Sequence, residues 1–162
     1  MPIAVGAKVP DVKIKTMVDG KMQDVSTGEL FANKKTVLFA VPGAFTPTCS
    51  MQHLPGFITH AKDIKAKGVD LIACVSVNDA FVMDAWGKDK GAGDKVMMLA
   101  DGNADFAKAM GLEMEGKGIG FGTRSQRYSA IIDNGVVKAL NVEAPGKFEV
   151  SNAETMLAQA KG

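Results

Sequence analysis

The stretch Val37–Leu54, VLFAVPGAFTPTCSMQHL, decides how the rest of this chain is organised. Its first five residues are apolar without interruption, which is typical of a buried β-strand. A Pro-Gly pair then ends that strand. Thr46 and Pro47 suit a helix start, because threonine caps helices and proline needs no partner at the first helical position. We therefore predict that Cys49 lies in the first turn of a helix that follows a buried strand.

The two cysteines have different predicted environments. At a helix start, unpaired N–H groups and the helix dipole stabilise negative charge, so the position of Cys49 favours the thiolate, which is the reactive form. Cys74 stands within the apolar run Leu71–Val75 and is predicted to be an inert thiol in a core strand.

Composition limits the classes of function. The 162 residues suit one domain, residues 1–162, and contents of 46% hydrophobic and 23% charged residues are ordinary for a globular protein. With 19 basic and 18 acidic residues, no nucleic-acid partner is indicated. The longest apolar run is far too short for a membrane span, so no membrane partner is expected either. Two cysteines without C-x-x-C spacing argue against a zinc module, and a reducing cytoplasm is the simplest compartment. We expect no cofactor and no metal.

Periodicity and turn residues predict an α/β chain. Asp19-Gly20 joins two strand-like runs in an N-terminal β-hairpin, and a helix from Thr48 to Gly68 should kink at Pro55. A central mixed sheet flanked by helices follows from this order. The further predicted elements are strands Val69–Val77 and Val96–Ala100, a helix from Ala80 through Trp86, a surface loop Gly87–Asp94, a short helix ended by Gly111, a glycine-rich loop Gly116–Gly122, a hairpin of Tyr128–Asp133 with Val136–Val142, and a last helix with the capping box Ser151-x-x-Glu154.

His53 lies four residues after Cys49, on the same face of the predicted helix. The two residues could form a pair for acyl transfer, or bind a metal together with His60. His53 could instead be packed or hydrogen bonded near the helix, with a secondary role in positioning Cys49. We favour this last interpretation, because neither a fourth metal ligand nor an acid to orient the histidine is evident.

The spacing Pro42-x-x-x-Thr46-x-x-Cys49 matches the Pro-x-x-x-Thr/Ser-x-x-Cys signature of the peroxiredoxins, and its flanks resemble the type II, or five-like, subgroup. Further matches spread the resemblance over nearly the whole chain: Val75–Phe81, Gly122–Tyr128 and Val137–Glu143. The resemblance implies a thioredoxin-like fold, a homodimer and a thiol peroxidase that reduces hydrogen peroxide and alkyl hydroperoxides.

The resemblance also implies roles for individual residues. The Cys49 thiolate would attack peroxide, and Pro42 would shield it from water. Arg127 matches the position of the family's catalytic arginine, with Arg124 as a second candidate. The Thr46 hydroxyl, together with Arg127 and the Cys49 backbone N–H, is suitably polar to hold the peroxide.

An apolar rim for alkyl hydroperoxides is expected from Phe45, Ile119 and Phe121. The surface near Phe45 and Trp86 is the expected dimer contact.

The oxidised Cys49 must be restored by a thiol. Other five-like members carry a resolving cysteine near the C-terminus, where this chain has Phe148-Glu-Val-Ser151. An external thiol, glutathione with or without glutaredoxin, is therefore the predicted reductant. The alternative is a Cys49–Cys74 disulfide reduced by thioredoxin. Two remoter alternatives remain: a cysteine hydrolase that uses Cys49 and His53, and a non-enzymatic redox sensor.

Overall fold

The computed structural model describes residues 1–160, which form one seven-stranded sheet, one two-stranded sheet, five α-helices and two short helical turns. The strands are β1 (Lys13–Val18), β2 (Lys21–Ser26), β3 (Lys35–Val41), β4 (Leu71–Ser76), β5 (Met97–Ala100), β6 (Glu113–Gly116), β7 (Gly122–Ser125), β8 (Tyr128–Asp133) and β9 (Val136–Val142). The helices are α1 (Thr27–Leu30), α2 (Leu54–Lys65), α3 (Ala80–Lys90), α4 (Asp105–Ala109) and α5 (Ala153–Gln159), with a π-helical turn at Cys49–His53 and a 3₁₀ turn at Lys117–Ile119.

The large sheet has the strand order β2-β1-β5-β4-β3-β8-β9. Strands β3, β4 and β5 run parallel, while β8 pairs antiparallel with β3. The β1–β2 hairpin lies at one edge of the sheet and the β8–β9 hairpin at the other. The central strands β3 and β4 are almost wholly buried, as their unbroken apolar sequences predict for strands covered on both faces. The predicted thioredoxin-like α/β fold with an N-terminal hairpin is confirmed.

Alternate residues of β3 enter different halves of the core. Phe39 packs with Leu54, Phe57 and Trp86 on the face that carries α2, α3 and α5. Leu38 and its neighbours on the opposite face pack against α4 and the chain around Phe31. The helices therefore cover both faces of the sheet, and the chain between β3 and α2 emerges at the carboxyl edge of the strands.

The helix predicted from Thr48 contains an irregular turn. Residues Cys49–His53 form a π-helical turn, in which the N–H of Leu54 donates to the carbonyl of Cys49, and α2 begins immediately afterwards. Pro55 provides the physical reason, since it has no N–H to donate and its ring would press on the carbonyl four residues earlier. The predicted irregularity is present, and it takes the form of a wider turn next to the cysteine.

The prediction of a surface loop at Gly87–Asp94 is wrong at its first four residues. Helix α3 continues to Lys90, and both Trp86 and Gly87 are buried. A Cβ on Gly87 would lie 2.8 Å from Cγ of Met98, so the glycine allows the helix to approach the sheet closely. Gly91, with φ of +75°, ends the helix in the left-handed conformation that glycine adopts readily.

The predicted glycine-rich loop is present as the tip of the β6–β7 hairpin, and the short strands on either side of it form a second sheet that was not predicted from the sequence. The predicted capping box at Ser151 is wrong. Asn152 is the N-cap of α5, because its side chain accepts a hydrogen bond from the N–H of Thr155. Ser151 therefore does not open a capping box, and its hydroxyl bonds to Glu143 instead.

Within residues 1–160, no helix combines the length and apolarity needed to cross a membrane.

Candidate active site

The loop after β3 is attached to the end of β4. The side-chain oxygen of Asn78 accepts hydrogen bonds from the N–H of Ala44, at 3.0 Å, and from the Ser76 hydroxyl, at 2.7 Å. Phe45 adopts a φ of +64°, a conformation that costs free energy for a residue with a side chain. These features fix the backbone conformation of the loop, which leads directly into the helical turn that contains Cys49.

Cys49 is fully buried, and its sulfur contacts a cation. Nη2 of Arg127 donates to Cys49 Sγ at 3.1 Å, although the two residues are 78 positions apart in the sequence. An arginine stays charged at any physiological pH and therefore stabilises a thiolate at this distance. Of the two arginines considered from the sequence, Arg127 is the one that contacts the sulfur.

His53 contacts the second terminal nitrogen of the Arg127 guanidinium. Nη1 of Arg127 lies 2.9 Å from Nδ1 of His53, and Nε2 of His53 lies 2.9 Å from the carbonyl oxygen of Ser151. Since arginine can only donate and a carbonyl can only accept, His53 must be the neutral tautomer with its proton on Nε2. The ring of Phe148 covers this pair, at 4.8 Å from the His53 ring and 5.7 Å from Cζ of Arg127.

Burial, reinforced by the charge of Arg127, lowers the pKa of His53 to about 3. A histidine that is neutral at working pH, with both ring nitrogens occupied, has no free lone pair to activate Cys49 as a nucleophile for acyl transfer. The geometry therefore argues against the cysteine hydrolase hypothesis. It agrees with a hydrogen-bonded histidine that positions its neighbours.

Three site residues were missed from the sequence: Glu143, Phe148 and Ser151. The buried carboxylate of Glu143 accepts hydrogen bonds from the backbone N–H groups of residues 149, 150 and 151 and from the Ser151 hydroxyl. Glu143 does end a stretch that matches the family. However, no local pattern indicates that the turn after Glu143 folds back onto His53. Ser151, which contacts His53 from this turn, lies 98 residues later in the sequence.

Thr46 and Pro42 belong to the loop that leads from β3 to Cys49. The Thr46 hydroxyl donates to the carbonyl of Gly43 at 2.6 Å, and the Thr46 carbonyl accepts from the N–H of Ser50 at 2.9 Å. The helical conformation begins at Pro47, as predicted. Pro42 is half-buried and lines the cavity beside the site.

Arg124 supports the loop and makes no hydrogen bond to the sulfur. Its Nε donates to the carbonyl of Phe121 at 2.9 Å, and its Nη1 lies 3.4 Å from the carbonyls of Pro42 and Val77. Its Cζ also lies 5.1 Å from the centre of the Phe121 ring. Arg124 therefore connects the β6–β7 hairpin to the ends of β3 and β4, next to the loop that carries Thr46.

A cavity of about 390 Å³ adjoins the site. Pro42, Thr48 and Arg127 line it on the side of the thiol. The rest of its wall combines apolar groups with one amide, the buried carboxylate of Glu143 and two exposed charged side chains. These residues are Glu113, Met114, Gln126, Glu143, Ala144, Pro145, Gly146 and Lys147.

The three residues expected to form an apolar rim lie elsewhere. Phe45 and Ile119 are exposed over 52% and 69% of their surface, and Phe121 packs under Arg124. None of them lines the cavity beside Arg127. Their contact with alkyl hydroperoxides stays a prediction.

Cys74 is fully buried in β4, directly opposite Phe39 of β3. Burial raises the pKa of the Cys74 thiol well above its ordinary range, and the nearby Cys49 adds to this effect. Both cysteines are free thiols. Cys74 is therefore a protonated core residue, which is a poor nucleophile.

His60 lies away from the thiol. Its Nε2 is 3.1 Å from a carboxylate oxygen of Glu154 on α5. Across residues 1–160, no group of three His, Cys, Asp or Glu side chains is arranged to hold a metal ion. The structure thus does not bring His60 together with Cys49 and His53.

The pKa of His53 predicts how stability depends on pH. The unfolded chain binds a proton on this residue near pH 6.5, while the folded chain does so only near pH 3. The free energy of unfolding should therefore fall as the pH drops below 6.5 and be independent of His53 above it. Denaturant unfolding should show a loss on the order of 3 kcal/mol between the unfolded-state pKa and about pH 4.5.

His53→Gln should remove most of that pH dependence between pH 6.5 and about pH 5, where carboxylates titrate little. His60→Gln is the matched control, because it removes an imidazole from the surface and should retain the dependence. A wild-type protein whose stability is constant over this interval would contradict the buried, neutral state of His53.

Comparison with known proteins agrees with this geometry. A family model described as Redoxin matches residues 4–157. Peroxiredoxin-2E-2, chloroplastic, from Oryza sativa subsp. japonica is 55% identical over 160 residues, covering 96% of this chain and 71% of that protein. Hybrid peroxiredoxin hyPrx5 from Haemophilus influenzae is 47% identical over 155 residues, covering 94% of this chain and 64% of that protein.

Among solved structures, reduced Prx3 from Vibrio vulnificus in complex with hydrogen peroxide is 60% identical and superposes with a TM-score of 0.94. The match covers 98% of this chain and 99% of that one. Peroxiredoxin 5 from Alvinella pompejana superposes with a TM-score of 0.86 at 33% identity, over 98% of each chain. This chain therefore belongs to the peroxiredoxins, in the type II or five-like subgroup, and is a thiol peroxidase.

Proposed function

We propose that this peroxiredoxin reduces hydrogen peroxide and alkyl hydroperoxides through a sulfenic acid on Cys49, and that glutathione, alone or with glutaredoxin, restores the thiol. The observation that carries the proposal is the contact between Arg127 Nη2 and Cys49 Sγ at 3.1 Å. It joins a nucleophilic sulfur to donors that can also bind a peroxide oxygen.

In the first step, the Cys49 thiolate attacks one oxygen of the hydroperoxide. A sulfur–oxygen bond forms, the O–O bond breaks, and the second oxygen leaves as water or an alcohol after taking up a proton. Thr46 and Arg127 would hold the peroxide in line with the sulfur. The Thr46 hydroxyl donates to Gly43 and so retains lone pairs that can accept a peroxide O–H.

The adjoining cavity supports the wider substrate range. Its wall includes the apolar groups of Met114, Ala144 and Pro145, which suit the alkyl part of a hydroperoxide. Its volume of about 390 Å³ would also hold a small peptide thiol beside Arg127, the residue that contacts Cys49.

The state of Cys74 supports an external reductant. A buried thiol with a raised pKa, held within a central strand, is a poor partner for the Cys49 sulfenic acid. A disulfide would also require the two Cα atoms to come within about 7 Å of each other with suitable direction. An external thiol instead gives a mixed disulfide on Cys49 and water, and a second thiol then releases Cys49 together with the oxidised reductant.

Mass spectrometry after one equivalent of peroxide tests the reductant. With glutathione present, we expect one glutathione adduct on Cys49, and Cys74→Ser should turn over as fast as the wild type. Cys49→Ser, the matched control, should form no adduct and consume no peroxide. A loss of two hydrogens without glutathione, mapped to Cys49–Cys74 within one chain, together with an inactive Cys74→Ser, would overturn the proposal in favour of a Cys49–Cys74 disulfide.

We also propose a homodimer, with one change to the expected contact surface. Trp86 is fully buried and donates from Nε1 to the Ser50 hydroxyl at 2.9 Å, so it cannot contact a partner directly. The exposed apolar side chains Phe45, Met51 and Phe81, at 52%, 76% and 64% exposure, are the better candidates. Sedimentation at micromolar concentration should give the mass of two chains and, for Phe45→Lys, a shift toward one. A wild-type monomer would contradict the proposal.

A reducing compartment such as the cytoplasm suits two free cysteines. Two relatives are named chloroplastic, so we propose a reducing compartment without naming which one.

A further inference from the structure

Glu143 is buried and does not touch the thiol, yet its carboxylate organises the turn that follows β9. It accepts the N–H groups of Glu149 at 2.9 Å, Val150 at 2.8 Å and Ser151 at 2.8 Å, and the Ser151 hydroxyl at 2.7 Å. No ion pair within residues 1–160 involves this carboxylate. Backbone dipoles that converge on an anion in this way fix the conformation of a turn.

This turn connects to the active site at two points. The Ser151 carbonyl accepts the Nε2 proton of His53, and the ring of Phe148 packs against both His53 and Arg127. The N–H and hydroxyl of Ser151 bond to Glu143, so the position of its carbonyl depends on that carboxylate.

The Ser151 carbonyl in turn determines which nitrogen of His53 is protonated. With the proton on Nε2, Nδ1 can accept from Nη1 of Arg127, and Nη2 is then directed at Cys49 Sγ. With the proton on Nδ1, two donors would face each other, and the guanidinium would lose this support. Residues that bond to a functional group from behind can orient it in this way, although they do not themselves contact the reactants.

We propose that Glu143 is a positioning residue for the peroxidase reaction, acting through Ser151 and His53 to hold Arg127 on the sulfur of Cys49. The proposal concerns the oxidation of Cys49 by peroxide. It is independent of which thiol reduces the enzyme afterwards.

Glu143→Gln tests the proposal, because it keeps the shape, removes the negative charge and replaces one acceptor oxygen with an NH₂ group that can only donate. We expect the rate of Cys49 oxidation by hydrogen peroxide to fall on the order of ten- to a hundredfold, as for other small displacements of a group that must be aligned. The thiolate absorbance at neutral pH should fall with it. Glu149→Gln is the matched control, since this exposed glutamate lies in the same turn and contributes only its backbone N–H.

Nitrogen NMR of labelled His53 separates positioning from a merely structural role. The wild type should show the neutral Nε2–H tautomer, and Glu143→Gln should show a mixture of tautomers at a temperature where it is folded. A folded Glu143→Gln that oxidises at the wild-type rate overturns the proposal, whatever its melting temperature. A slow variant whose His53 keeps the wild-type tautomer also overturns it.

If Glu143→Gln does not fold, the wild-type spectrum still decides. A spectrum with the proton of His53 on Nδ1, or on both nitrogens, at neutral pH contradicts the proposed route. The Nε2–H form, combined with a slowed Ser151→Pro variant that loses both the N–H and the hydroxyl that donate to Glu143, supports it. A folded Ser151→Pro that oxidises at the wild-type rate contradicts it.

Discussion

Replacing Arg127 with alanine should slow the reaction of Cys49 with hydrogen peroxide by a factor on the order of 10²–10³, which is typical for removing one donor aimed at developing charge. The reason is that one guanidinium serves two purposes. It stabilises the thiolate at 3.1 Å, and it offers a donor to the peroxide oxygen. Stopped-flow kinetics under single-turnover conditions measures the loss, and the ultraviolet absorbance of the thiolate should fall in the same variant.

Arg124→Ala is the matched control, because it removes a guanidinium only three residues away. Arg124 bonds to the carbonyls of Pro42, Val77 and Phe121 and not to the sulfur, so its loss should loosen the loop and lower the rate less. Arg127→Lys should recover only part of the activity, since an ammonium cannot bond to Cys49 and His53 with the same planar fork. Equal rates for Arg127→Ala and the wild type would exclude Arg127 from the reaction.

Thr46→Val should keep the fold and lose most of the peroxidase activity, again on the order of 10²-fold if the hydroxyl is an aligned contact to the peroxide. Valine preserves the volume and removes the hydroxyl that donates to Gly43 at 2.6 Å. Thr46→Ser keeps the hydroxyl and should retain most of the rate. Both variants are compared by peroxide consumption at a saturating concentration of thiol.

A second explanation for Thr46 is purely structural. Its hydroxyl could serve only to fix the loop, in which case its loss would cost about 1 kcal/mol of stability and little activity. Denaturant unfolding of Thr46→Val separates the two explanations. A variant that is less stable and yet fully active would show that the hydroxyl acts on the loop alone.

Much of this fold could be predicted from the sequence because the relevant signals are local. The unbroken apolar residues of Val37–Val41 predict a buried strand, and the Pro-Gly pair after it predicts its end. The Asn134-Gly135 pair likewise predicts the β8–β9 hairpin, which the structure contains. In each case the residues that decide the conformation are neighbours in the chain, so their spacing carries the information.

Local signals failed where packing overrode them. The polar, glycine-rich composition after Trp86 predicts a loop, yet Gly87 lies inside α3 because its missing side chain allows close contact with Met98. The pattern Ser151-x-x-Glu154 predicts a capping box, yet the hydroxyl of Ser151 is used by Glu143. In both cases a partner distant in the sequence changed the outcome.

The type of chemistry is evident from local sequence. A cysteine placed after Pro42 and Thr46, at a helix start behind a buried strand, already indicates a reactive thiolate, and the family motif implies the peroxide reaction. Which groups act on that thiolate depends on how distant segments fold together. The sheet order brings the chain before β8 next to the end of β3, so Arg127 reaches a sulfur 78 residues away. The turn closed by Glu143 reaches His53 in the same way, because contacts between distant segments depend on strand pairing and side-chain packing, which no short stretch of sequence specifies.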